Sequence, residues 1–407
     1  MRIAILGAFP FPLPQGSQVF VEQQTRALQR AGAEVTLFCY GHGAGRTPPD
    51  LDVVRIPRRL SPATLRAGPS PGKPVADAAL ATAYAWRARE QAFDLALAHN
   101  GEAALAGFAA RVACGVPVIY VAHTQLAREL SSYAPTARAV LDGLGGWLDR
   151  RLARHADAVI ALSAASQTAL ARHASGPVER IAPGLDEVAA PTPEQIERAC
   201  ARFGLERKSY ALYAGNLDDY QHLGELARAA RDGGVRVAVA THDSIRNAPD
   251  GLLLARVQSR EEVRALTAGA GVCVLPRRAP GGFPIKLLNY MDAGVAIVAR
   301  ANVADGLVHG RSAFLLTESA GPKALAAAIR TLLDDPAEAA RLGRGGRAHL
   351  EAEHRWPELA RRTLELAARI ARRPVSRASH APRRRSLRST TPPAAASRES
   401  STAPPPA

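Results

Sequence analysis

The strongest constraint on this chain is a rhythm run twice along it: short, continuously apolar segments alternating with longer amphipathic ones. Arg2–Leu6, Glu34–Cys39, Leu95–His99, Val118–Ala122 and Ala158–Leu162 read as strands. A strand without a polar face must be covered on both sides, so these segments belong in a parallel sheet between helical layers. Val19, Val21 and Leu28 mark one face of a helix that ends near Gly32. Pro191 and Pro193 interrupt the rhythm, and it then restarts. Strands are predicted at Tyr210–Ala214, Val235–Ala240, Val272–Leu275 and Ile297–Ala299. Helices are predicted at Leu223–Arg231, Arg260–Ala268, Ile285–Asp292, Lys323–Leu333 and Ala337–Glu351. At roughly 100–200 residues per domain, 407 residues accommodate two such cores. The expected organisation is two doubly wound α/β domains over residues 1–188 and 189–355, followed by an amphipathic helix within 356–373. From residue 374 to 407 the chain is dominated by Ser, Thr, Pro, Ala and Arg, with too little apolar area to offset ordering, and is expected to be disordered.

Charge is a weaker guide. The formal net charge is +15, but the arginines are scattered over many predicted helices and never alternate with aromatic residues in a stripe. No specific nucleic-acid partner is therefore expected. A solvated basic surface and attraction to anionic lipid or substrate both fit. Cys39, Cys114, Cys200 and Cys273 are far apart, with no C-x-x-C, which argues against a zinc site or a disulfide framework and suits a reducing compartment. No stretch of about 18 apolar residues is present, so a spanning helix is not expected. The expected location is cytoplasmic, with peripheral contact with an anionic inner membrane face as a further expectation.

Ligands of open parallel sheets bind beyond the carboxyl ends of the strands, and the informative loops lie there. After the first strand, Gly16 and Ser17 open a helix whose free N–H groups can meet an oxygen-rich ligand; an ordinary strand–helix turn is the alternative. His99, Asn100 and Glu102 follow one strand, and His123 follows the next. A histidine there can donate to a sugar hydroxyl or phosphate, or it can simply cap the strand. In the second half, Gly215, Asn216 and Gln221 follow the first strand. Gly281, Gly282, Phe283, Pro284, Ile285, Lys286 and Asn289 follow another. Pro284 suits a first helical position. Lys286, one of only four lysines, then lies in the first turn, where a cation opposes the helix dipole unless an anion sits beside it; a solvated lysine is the alternative.

Over about residues 1–370 the chain resembles the group 1 glycosyltransferases, glycosyltransferase family 4. The resemblance is carried by Gly281–Gly294, by the Gly16–Val35 entry, by the strand ending in His123, by Ala156–Ser163, and by Pro183-Gly184-Leu185-Asp186, which is similar to that family's Asn-Gly-Val-Asp. Tyr213–Leu217 with Tyr220-Gln221 resembles one subgroup. The resemblance implies the GT-B fold, two Rossmann-like domains facing across a cleft. It implies a nucleotide diphosphate sugar as donor substrate, with no cofactor and no metal, and a glycan or lipid-linked acceptor. By that resemblance the first domain binds the acceptor, through His99, Asn100 and Glu102, and the second binds the donor. The last helix crosses back to the first domain, and His123 lies beside the transferred sugar. Retention of anomeric configuration follows in the same way. Two glutamates of the family's donor loop fall at Gly281 and Asn289, and its diphosphate-binding Arg and Lys fall at Asn216 and Gln221. Lys286, Arg277 and Arg278 are then left to neutralise the leaving diphosphate. A GT-B sugar or nucleotide binder that has lost turnover is the alternative.

Overall fold

The computed structural model describes residues 1–13, 16–43, 45–62, 72–127, 138–242, 249–279 and 282–372. The expected disordered tail, and Gly281 of the candidate site, lie outside these. Strands β1 (Arg2–Pro10), β2 (Glu34–Tyr40), β3 (Asp52–Arg55), β4 (Leu95–His99), β5 (Val118–Ala122), β6 (Ala158–Ala161) and β7 (Val178–Arg180) form one sheet. Its order is β3-β2-β1-β4-β5-β6-β7. Strands β8 (Ala211–Ala214), β9 (Val237–Thr241), β10 (Leu253–Arg256), β11 (Val272–Leu275), β12 (Ala296–Arg300) and β13 (Phe314–Leu316) form a second, in the order β10-β9-β8-β11-β12-β13. Every pairing is parallel. Each sheet reverses its winding direction once, between β1 and β4 in the first and between β8 and β11 in the second. The crevices that receive ligands in such folds open at those two points.

Alternate residues of each strand feed opposite layers, as the pleat requires. Ala4, Leu6, Phe38, Ala96, Ala98 and Val159 pack on one side of the first sheet. There they meet α2 (Lys73–Glu90), α3 (Asn100–Cys114) and α4 (Arg138–His155). Tyr213, Val239, Val274 and Val298 face the corresponding outer layer of the second sheet, with α7 (Leu223–Gly233) and α10 (Pro322–Asp334). The other faces of both sheets, carrying Ile5, Leu37, Leu97 and Val121 from the first and Leu212, Cys273 and Ile297 from the second, belong to one continuous apolar cluster. Helix α1 (Gly16–Arg30) contributes Phe20, Val21 and Leu28 to it, and α12 (Trp356–Ala371) contributes Trp356, Leu359 and Leu366.

Two connections link the halves. Past β7 and α5 (Ala164–Ala171), the chain enters α6 (Pro193–Arg202) through a capping box in which Thr192 and Gln195 satisfy each other's backbone N–H groups. Past α8 (Arg260–Gly269), α9 (Lys286–Asp292) and α11 (Pro336–Glu353), the chain returns, and α12 packs on α1. His354 Nδ1 donates to the Pro183 carbonyl at 2.8 Å, and Trp356 Nε1 reaches Gln23 Oε1 at 3.4 Å. Gly184 makes the return tight, since a Cβ there would lie 2.6 Å from the Trp356 ring.

Three differences from the sequence expectation have physical causes. Strand β1 does not stop at Leu6 but runs to Pro10. Its pairing with β4 ends at Gly7, and its register with β2 breaks between Leu6 and Pro10, so the proline sits where its missing N–H is tolerated. Strands β3, β7, β10 and β13 are unanticipated, and all four are sheet edges. They are three or four residues long and largely half-buried, so they lack the full two-sided burial that marks the interior strands. Pro284 does not hold the first helical position: Ile285 caps α9 and Lys286 is its first residue.

Candidate active site

The site is assembled from strand ends. His99 closes β4, and His123 follows β5. Because β4 and β5 are neighbours in the sheet, the two rings meet, with His99 Nδ1 2.9 Å from His123 Nε2. His99 has no exposed surface, and His123 keeps 8%. Phe20 of α1 lies edge-on to both rings, at centroid distances of 5.8 and 5.1 Å, and it touches Trp356 at 5.6 Å. Burial lowers the His123 pKa to about 4. Burial, with the neighbouring His123 adding, drives His99 well below the usual 6.5. Both rings are therefore neutral at pH 7. His99 reaches the cleft only through His123.

Against the end of β5 lies the loop that precedes α9. Gly282 has φ +85°, and a Cβ there would stand 2.3 Å from the His123 carbonyl oxygen and 2.8 Å from Thr124 Cγ2. Only glycine permits that approach. A Cβ on Gly16 would lie 3.9 Å from Ile285, so the start of α1 joins the same junction, with half-buried Ser17 beside it. Phe283 is buried and packs on the His354 ring at 5.2 Å.

Lys286 begins α9, and its ammonium points to the end of β8. Nζ donates to Tyr213 Oη at 2.6 Å and Gln221 Oε1 at 3.1 Å, and lies 4.0 Å from the Tyr213 ring centre. Gly215 makes room, because a Cβ there would stand 2.7 Å from Nζ. Gln221 Nε2 donates to Asn216 Oδ1 at 3.0 Å, and Tyr213 Oη donates to the Asn216 carbonyl at 2.8 Å. Asn289 stands one turn beyond Lys286 on the same face of α9. Among the described residues Lys286 has no carboxylate within ion-pair distance. Burial pushes its pKa well below the usual lysine range, the charge of Arg277 pushes the same way, and Asp218 opposes them. Arg277 lies over the Tyr220 ring at 4.8 Å, and burial lowers its pKa as well.

The structure thus brings Gly16, His123, Gly282 and Ile285 together at one junction and Gly215, Asn216, Gln221 and Lys286 at another, joined by the start of α9. Arg278 pairs with Glu225, and Arg300, 1% exposed, joins the same carboxylate at 2.7 Å. Arg300 also donates to the Pro276 carbonyl at 2.5 Å, which fixes the loop after β11. Glu102 pairs with Lys73 at 2.9 Å, and Asn100 opens α3 with φ +69°. Sequence reasoning missed Phe20, Glu225 and Arg300. Their role depends on contacts between distant segments, and no local spacing announces them.

Comparisons with known proteins bear on the family and the fold. Residues 14–188 match the sequence model of Glycosyltransferase Family 4, and residues 221–335 that of Glycosyl transferases group 1. The chain is 26% identical to the D-inositol 3-phosphate glycosyltransferase of Rhodococcus opacus (strain B4), over 89% of each. The sucrose-phosphate synthase of Thermosynechococcus elongatus shares the fold with a TM-score of 0.75 at 18% identity, over 91% of this chain and 98% of that one. Anabaena HepE, solved in complex with UDP, shares it with a TM-score of 0.70 at 20% identity, over 91% and 100%. Two facing parallel sheets with loops gathered at their switch points define the GT-B class. The chain is a glycosyltransferase of this class, its first half matching family 4 and its second half the group 1 glycosyltransferases.

Proposed function

We propose that this enzyme transfers a hexose from a nucleoside diphosphate sugar to a glycan or lipid-linked acceptor, with retention and without a metal. The donor occupies the second half, around Gly215, Asn216, Gln221, Gly282, Lys286 and Asn289. The acceptor approaches the carboxyl ends of β4 and β5. The observation that carries this reading is Lys286: an ammonium held by a phenol and an amide, with no carboxylate at ion-pair distance among the described residues. Removing an unpaired cation from water is costly, and a diphosphate would supply the missing counter-charge.

As the sugar departs, charge builds on the diphosphate, and a preorganised cation in a water-poor site stabilises it most effectively. Lys286 and Arg277 together supply the positive charge that a metal ion supplies elsewhere, which is the basis for proposing metal independence. His123 meets the sugar from the opposite wall, next to Gly282. Anabaena HepE has been solved with UDP-glucose, and the Rhodococcus relative is named for an inositol phosphate acceptor; both support a sugar-nucleotide donor and a polyol acceptor. Among the described residues no helix is long and apolar enough to cross a membrane. The net charge of +15 supports peripheral contact with an anionic membrane from the cytoplasmic side.

The test is a panel of nucleotide sugars scored by thermal shift, followed by nucleoside diphosphate release with glycan and lipid-linked acceptors. A donor at a hundred times its Kd should stabilise the protein by about 2.7 kcal/mol. Stabilisation by no nucleotide sugar refutes the donor assignment. Stabilisation without release under any acceptor marks a binder rather than a transferase.

A further inference from the structure

His99 is fully buried, yet it touches His123, the histidine proposed above to meet the transferred sugar. Two neutral imidazoles 2.9 Å apart share one N–H, so one ring donates and the other accepts. Two arrangements satisfy the pair. If His123 donates from Nε2, the proton of His99 sits on its own Nε2, which is buried and has no hydrogen-bond partner among the described residues. If His99 donates from Nδ1, its Nε2 is a bare lone pair, and the proton of His123 sits on Nδ1. An unpaired buried N–H is the rarer of these two defects, as it is for backbone groups, because a donor left without an acceptor loses its full hydration. The second arrangement therefore prevails.

We infer that His99 donates Nδ1–H to His123 Nε2 and thereby fixes His123 as an Nδ1–H donor toward the cleft. His99 is then a positioning residue for the transfer reaction. It determines that the transferred sugar meets a hydrogen-bond donor on this wall and not a base. Three contacts hold the arrangement. Phe20 packs edge-on to both rings, the adjacent pairing of β4 and β5 sets their separation, and Gly282 abuts the backbone carbonyl of His123 and leaves its ring alone. Protonation of either ring is opposed by burial, so the pair stays neutral with a single bridging proton. The consequence for catalysis rests on the placement of His123 beside the sugar proposed above; the tautomer does not.

The experiment is long-range 1H–15N NMR of the full-length protein labelled in histidine, at neutral pH, with His123 assigned by comparison with H123Q. The wild type should show His123 protonated at Nδ1 and bare at Nε2. H99N, whose amide N–H takes the place of Nδ1–H, should keep that tautomer and most of the turnover. H99M, which fills the volume with a thioether that can accept but not donate, should move His123 to the Nε2–H form. It should also lower kcat by about tenfold or more, with UDP affinity within about twofold of wild type. A wild-type His123 protonated at Nε2, or an H99M protein whose His123 tautomer does not change, overturns the inference; the wild-type spectrum decides even if H99M does not fold. A tautomer that shifts as expected while kcat stays constant upholds the role of His99 in fixing the proton and instead refutes the placement of His123 at the sugar.

Discussion

Replacing Lys286 by Met separates a ligand-binding cation from a structural one, because the two roles move stability and affinity differently. The ammonium contacts Tyr213 Oη and Gln221 Oε1 at 2.6 and 3.1 Å. K286M removes both bonds and leaves Gln221 Oε1 unpaired in a buried residue, at a cost of about 1–3 kcal/mol. It also removes a half-buried cation, which relieves the cost of its partial desolvation. The two effects oppose each other, so the melting temperature should stay within about 5 °C of wild type. Affinity has no such compensation. A hydrogen bond to a charged group is worth about 1.5–3 kcal/mol, so Kd for UDP, measured by titration calorimetry, should rise by about 13- to 160-fold.

The pH dependence gives an independent check on the same residue. The folded pKa of Lys286 is lowered, so between that value and the ~10.4 of an exposed lysine the unfolded chain holds more protons. Wild-type stability should therefore rise relative to K286M as pH increases through that window, and the penalty for the buried charge is fully present below it. Bound UDP raises the Lys286 pKa again, so binding within the window should take up a proton, seen as a binding enthalpy that changes with the buffer's ionisation enthalpy. A K286M protein that binds UDP within about twofold of wild type refutes the diphosphate role, and a collapse in melting temperature with unchanged affinity shows the lysine to be structural.

His123→Ala should cut turnover by about 10²-fold, by analogy with loss of an oxyanion-hole donor, while UDP affinity changes little; His123→Gln should retain part of the rate, as measured by diphosphate release. Glu225→Gln leaves Arg300, 1% exposed, without its carboxylate, and should cost about 3–5 kcal/mol in urea denaturation at pH 7. Burial would raise the Glu225 pKa, but its bonds to Arg278 and Arg300 hold it below the usual carboxylate value. Its contribution is therefore complete above about pH 4.3 and is lost as pH falls through the lowered folded value, so the gap between wild type and E225Q should close on acidification. Trp356→Ala empties the contact between α12 and α1, where Trp356 is 2% exposed against Phe20 and Gly184. It should destabilise by about 3–5 kcal/mol, and a loss below about 1 kcal/mol would show that the returning helix is not anchored there.

What the sequence by itself determined is the architecture of the buried strands and the location of the loops that follow them. The nine strands anticipated are the interior ones, where both faces are covered and the apolar run is continuous. The loops after β1, β4, β5, β8 and β11 were legible for the same reason, since each starts where an unmistakable strand stops. The four edge strands were illegible because an edge strand is paired on one side only and carries mixed exposure. At the site, Lys286 was visible as a rare lysine in a first helical turn, and Asn216 and Gln221 as uncharged residues where relatives carry charge. Only the tertiary structure places the Lys286 ammonium on Gln221, 65 residues away in sequence, so that positive charge stands beside position 221 although residue 221 has none. Likewise His99 and His123 were each readable as strand-end histidines, but adjacency in a sheet is a relation between strands. The 2.9 Å contact that decides which nitrogen carries the proton exists only once β4 and β5 pair. Local periodicity encodes where a strand lies and which faces are apolar; which distant side chains meet at its end depends on strand order and register, and these are fixed only by packing of the whole chain.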